Sequence, residues 1–163
     1  IFMSKMFGLF LVLHGSYEYI LSPYTNIDKN LINLIISQTE SILVLLGYQL
    51  LEPNSMFQYH LGVIDTSGVV IGNPCDGLSL FILFTSFLIV FKGKLWFKAS
   101  YILFGILVIH FLNVLRVLAL TLIVVYSPES LDFHHKYSFT LFVYLCIFLM
   151  WYFRINIYKK KAW

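Results

Sequence analysis

The sequence predicts an all-α polytopic membrane protein, with about four transmembrane helices, an outer amphipathic helix and a small β-hairpin. Three observations carry that expectation. Of the 163 residues, 60% are hydrophobic and 12% charged, against about 45–50% and about 25% in an ordinary soluble domain. The mean hydropathy is +0.83. Four apolar stretches approach the length of a bilayer crossing, and most basic residues gather where a single topology would put them on one side of the membrane.

A water-soluble chain of this size could not bury so much apolar side chain, so its solvent is partly lipid. One membrane domain, 1–163, is expected, without room for a second. The chain begins with Ile, so a few residues are expected to precede it. Two cysteines, Cys75 and Cys146, are too few for a disulfide framework and match no metal-ligand spacing. No HExxH, Walker or GxGxxG motif occurs. The net charge of +3 reads as a topology signal, and no nucleic-acid partner is expected.

The expected spans are 6–21, 77–91, 95–117 with an extension to 126 left open, and 137–153, followed by a basic tail, 154–163. At about 1.5 Å per residue a crossing takes about 20 residues. The third stretch, Leu95 to Tyr126, exceeds one crossing and falls short of two; it continues past the interface, tilts, or breaks near Arg116. With Lys92 and the C-terminal lysines cytoplasmic, eight of the eleven basic residues lie inside: Lys5, Lys92, Lys94, Lys98, Arg154, Lys159, Lys160 and Lys161. All eight acids then fall at or beyond the outer half.

Residues 22–74 are expected to form an outer cap. Leu31–Leu51 is apolar enough to suggest a fifth span, but it contains Asn33, Gln38 and Glu40, and a fifth crossing would separate Lys5 from Lys92. It reads as an amphipathic helix on the outer interface. Gln58 to Gly72, centred on Asp65-Thr66-Ser67-Gly68, carries a hairpin signal. The first stretch lacks a clear small-x-small cleavage site and contains Glu18, which favours a retained span over a signal peptide.

Depth follows from counting along this topology. Cys75 stands 17 residues before Lys92, Arg116 22 residues after Lys94, and His135 19 residues before Arg154. These separations are about 26, 33 and 28 Å on regular helices. A thiol, a guanidinium and an imidazole from three spans thus reach one outer level. Cys75 lies in Gly72-Asn73-Pro74-Cys75-Asp76-Gly77, a turn opening a helix, where the exposed N–H groups favour a thiolate. Arg116 is either an intramembrane functional cation or an arginine snorkelling to lipid phosphates. Asn113, one turn earlier, shares its face. His134 and His135 precede the last span, where one of them suits general acid–base chemistry. Asp76 caps the helix or pairs with Arg116, with the cap favoured. Cys146 sits mid-span and reads as packing, His110 as a helix–helix contact, and His14 and His60 as structural residues.

At these positions the chain resembles the exosortase/archaeosortase family, which is recognised by a Cys, an Arg and a His at the outer ends of separate transmembrane helices. The matching positions are Cys75 in NPCDGLSLF, Arg116 in NVLRVLAL and His135 in HHKYSFTLFVY. The run from Asn73 to Tyr144 is most similar to short Bacteroidota-type members called exosortase X. Two departures are the single span before the cysteine and the FHHKYSF sequence, which keeps His134 open as an alternative. The resemblance implies a cysteine peptidase or transpeptidase of the bacterial cytoplasmic membrane, with its site facing outward. Its substrate would be an exported protein with a C-terminal sorting signal made of a short motif, an apolar span and a basic tail. Cys75 would be the nucleophile, Arg116 the oxyanion stabiliser and His135 the acid–base group, with Asn113, Asp76 and His134 supporting and no metal or organic cofactor required. Two other classes remain open on the residues alone: a non-enzymatic transport or assembly subunit, and a membrane acyltransferase using a Cys–His pair.

Overall fold

The computed structural model describes residues 2–51, 59–72 and 77–161, with side chains of the last helix described as far as Tyr158. Six helices and one short hairpin occur among the described residues: α1 Phe2–Ser16, α2 Ile27–Leu45, β1 His60–Leu61, β2 Val69–Val70, α3 Leu78–Val90, α4 Leu95–Tyr126, the single turn α5 Leu131–Phe133, and α6 Phe139–Lys161. Two runs are long and apolar enough to cross a membrane, Leu95–Tyr126 and Pro128–Tyr158. This is the all-α membrane architecture expected from composition.

The chain divides into two compact units. Unit 1 comprises Ile1–Thr25, Leu78–His110 and Phe142–Trp163; unit 2 comprises Asn26–Gly77 and Phe111–Leu141. In unit 1, aromatic rings do much of the packing. Phe87 stacks on Trp151 with centroids 4.4 Å apart, meets Phe2 edge-on at 5.5 Å, and stacks on Phe91 at 5.7 Å. The Tyr101 hydroxyl donates to the Met150 carbonyl at 2.7 Å, joining α4 to α6. Lipid tails are as apolar as leucine, so such packing and hydrogen bonding hold membrane helices together more than water exclusion does.

Unit 2 has a core of Ile32, Ile35 and Leu43 from α2, Leu61, Val63 and Ile71 from the hairpin segment, and Val114 and Val117 from α4. The amphipathic helix begins at Ile27 and ends at Leu45, not at Leu31 and Leu51. Its apolar stripe is sealed inside the protein, with Ile32, Ile35 and Leu43 at most 1% exposed. Its other side chains, including Leu34, Val44 and Leu45, remain exposed. A Schellman turn ends α2, with Gly47 at φ +85° and the Tyr48 amide donating to the Leu43 carbonyl at 3.0 Å. The Tyr48 and Tyr126 hydroxyls then meet at 2.6 Å, joining the ends of α2 and α4.

The hairpin is as expected, antiparallel with His60 opposite Val70 and Leu61 opposite Val69. Asp65 and Gly68 take positive φ in its loop. The Thr66 hydroxyl donates to the Val63 carbonyl at 2.7 Å.

The long apolar stretch is one unbroken helix of 32 residues, about 48 Å long, so there is no break at Arg116. No proline interrupts it before Pro128, two residues past its end. By contrast α3 has 13 residues, about 20 Å, less than the about 30 Å hydrocarbon core. Gly77 is non-helical and α3 starts at Leu78.

Candidate active site

Arg116 lies on the buried face of α4. Asn113, Val117, Leu120 and Val124 recur at three- and four-residue intervals and are all 5% exposed or less, and Arg116 within the same stripe is 8% exposed. Its Nε is buried without a hydrogen-bond partner among the described residues. A charged donor in that state carries a desolvation penalty of about 1–3 kcal/mol or more, so its retention calls for an explanation.

Gly77 brings a second segment to this face. It takes φ +80°, a conformation suited to glycine, and a Cβ there would collide with the side-chain amide of Asn113. The backbone two residues after Cys75 is therefore seated on the residue one turn before Arg116. Cys75 and Asp76 themselves lie outside the described residues.

The third component enters before α6. After the 3₁₀ turn Pro128–Ser130 and α5, the chain widens into a π-helical turn, His134–Ser138, with the Phe139 amide donating to the His134 carbonyl. Such π turns occur frequently at functional sites. The two histidines have different surroundings. His134 Nδ1 lies 3.1 Å from the Ser138 hydroxyl, and its ring packs against Phe133 at 5.6 Å and Phe139 at 6.2 Å. Burial holds the half-buried His135 imidazole below the usual histidine range, with the charges of Arg116 and Lys136 adding to the shift and that of Asp132 opposing it. Lys136 and Asp132 form an exposed 3.9 Å ion pair one turn apart.

The family model of the transmembrane exosortases matches residues 4–152. The chain belongs to the transmembrane exosortase family. No curated protein and no solved structure matches it. Within this exosortase, Arg116, Asn113, His134 and His135 all belong to unit 2, together with the segment ending at Gly77. Cys146 is half-buried on α6 in unit 1.

Two residues of interest escaped sequence reasoning. Gly77 follows the Cys-Asp pair, and a glycine at a helix entrance is a detectable sign of close backbone approach. Sequence position marks Arg154 only as the cytoplasmic end of a span, yet α6 continues beyond it and its side chain is 7% exposed. The signal was its separation from the lysines by four largely apolar residues. His14 stacks on Phe10 at 5.4 Å, and His60 Nε2 meets the Ser67 carbonyl at 3.0 Å, in keeping with structural roles.

Proposed function

We infer that this exosortase is a cysteine peptidase or transpeptidase that cleaves a C-terminal sorting signal at the outer face of the cytoplasmic membrane. The observation that carries the reading is the seating of Gly77 on Asn113, which ties the Cys75 segment to the α4 turn of Arg116. The charge of Arg116 at His135 adds the third group. Four spans with both termini cytoplasmic belong to the same proposal and rest on the distribution of basic residues.

In this mechanism the Cys75 thiol passes its proton to His135 and the resulting thiolate attacks the scissile carbonyl, forming a C–S bond while the carbonyl oxygen takes the negative charge. The Arg116 guanidinium, which has no carboxylate pair among the described residues, donates to that oxyanion from a low-dielectric site. The tetrahedral intermediate collapses, the C–N bond breaks, and the leaving nitrogen takes a proton from the His135 imidazolium. The C-terminal fragment departs and a thioester remains. Neutral His135 then removes a proton from water or an acceptor amine, whose attack releases the product and restores the thiolate.

Thiol reactivity tests this reading without knowledge of the substrate. In a Cys146→Ala background, a membrane-impermeant alkylating reagent applied from outside should modify Cys75 at neutral pH, and Arg116→Gln should move the labelling profile to higher pH. Labelling that follows an ordinary thiol profile and ignores Arg116→Gln would refute an activated cysteine. Labelling only after the inner side is opened would refute the topology.

A further inference from the structure

We propose that unit 1 contains a binding site for the phosphate-bearing head group of an anionic phospholipid, formed by Arg154 and Lys94 in a cavity between α4 and α6. The cavity is about 930 Å³, with Phe97, Tyr101, Phe104 and Tyr158 among its walls. Arg154 lines it while only 7% exposed. Its Nε has no hydrogen-bond partner among the described residues. The guanidinium carbon lies 5.9 Å from the centroid of Phe91 and 5.7 Å from that of Tyr101. These rings support the charge but take no conventional N–H hydrogen bond.

The unit also lacks a nearby source of compensation in sequence: its single acid is Glu18, in the π-helical turn Tyr17–Leu21 that follows α1, against eight basic residues. Lys98 is engaged elsewhere, donating to the Ile89 carbonyl at 2.9 Å. A buried cation with no acidic partner among the described residues calls for an anion. Gly93 keeps the approach open: at φ +145°, a Cβ there would stand 3.1 Å from Arg154 Nη2.

The chemistry favours phosphate. A guanidinium fork matches two phosphate oxygens, and an ammonium such as that of exposed Lys94 adds a point charge. The volume and aromatic walls exceed what an inorganic ion needs and suit a glycerol backbone with its first methylenes. Leu95 and Trp96, 83% and 82% exposed beside the cavity, fit the head-group level where tryptophan is enriched. Basic pockets between transmembrane helices bind anionic head groups in this way. Nothing in this site depends on Cys75 chemistry.

Thermal melting of the full chain in neutral detergent, stripped of lipid, provides the test. Phosphatidylglycerol should raise the melting temperature by several degrees, while phosphatidylcholine and inorganic phosphate at equal concentration should not. Arg154→Gln should remove the shift. Ser100→Phe, which fills the cavity from an exposed position, should do the same should the arginine variant fail to fold. Equal shifts with phosphatidylglycerol and phosphatidylcholine would overturn the site, as would a shift retained in a folded variant of either kind. A shift with inorganic phosphate as large as that with phosphatidylglycerol would overturn its assignment to lipid.

Discussion

The two units differ most in charge. Unit 1 carries eight basic residues and one acid, a net of +7, whereas unit 2 carries three basic residues and seven acids, a net of −4. Each nevertheless buries one arginine, Arg154 in the first and Arg116 in the second, with exposures of 7% and 8%. In unit 1 the arginine is cradled by rings and faces a cavity. In unit 2 it shares a helix face with a buried amide, and its charge adds to burial in lowering the pKa of His135. Burial alone therefore does not distinguish a catalytic cation from a binding one; the neighbours do.

The largest expected contrast is between the two cysteines, one assigned to each unit. Cys75→Ala should abolish processing of a co-expressed substrate bearing the C-terminal signal, while Cys146→Ala should retain most of it at equal protein level. Equal losses from both would make the thiols packing residues and erase the functional distinction between the units.

Next come the histidines within unit 2. Adjacent positions in a helical turn point to different sides, and His134 is occupied with Ser138 and two phenylalanine rings. His135→Ala should lower turnover about 10²–10⁴-fold, the range of general acid–base catalysis, whereas His134→Ala should be mildly impaired. The reverse order would move the site by one residue. Full activity of the double variant would remove imidazole chemistry altogether.

The arginines sharpen the comparison directly. Arg116→Lys keeps the charge but loses the planar fork, and should reduce turnover about 10²–10³-fold, as loss of an oxyanion donor does, with little change in melting temperature. Arg154→Lys should instead show its effect as a smaller melting response to phosphatidylglycerol. Near-normal turnover of Arg116→Lys would reduce that residue to a generic positive charge.

Much of this was legible in the sequence because lipid imposes strong patterns. Uninterrupted apolar runs marked the long helices, and Asp65-Thr66-Ser67-Gly68 marked the hairpin through its turn chemistry. Polar residues within Leu31–Leu51 argue against a fifth span, but they do not reveal that Ile32 and Ile35 share a core with Val114 and Val117, since the partner of an apolar stripe is set by tertiary packing. The same limit hid the cavity at Arg154: a basic residue near a lysine-rich tail reads as a boundary until the facing rings are known. Equal depth drew attention to Arg116 and His135, although the short α3 shows that counting along assumed helix was too generous for Cys75.

The smallest effect expected on chemistry comes from a pair of close-packed glycines, one in each unit. Gly77→Ala would meet the Asn113 amide and would also place a Cβ at φ +80°, a backbone state costing an ordinary residue about 1–2 kcal/mol. Gly105→Ala would press on the ring of Phe84, which is fully buried in unit 1, without any positive-φ strain. Both substitutions should lower the melting temperature, because each forces a displacement in a packed interior. Only Gly77→Ala should also slow alkylation of Cys75, by several-fold, since it displaces the segment that positions the thiol. Adding Asn113→Ala to Gly77→Ala should recover part of the melting temperature by relieving the collision, while the backbone strain persists. Cys75 reactivity should recover less than stability, because the amide that seats the segment is gone. If Gly105→Ala slowed Cys75 alkylation as much as Gly77→Ala at matched melting temperature, general loosening would explain both, and the special contact between Gly77 and Asn113 would lose its claim to position the nucleophile.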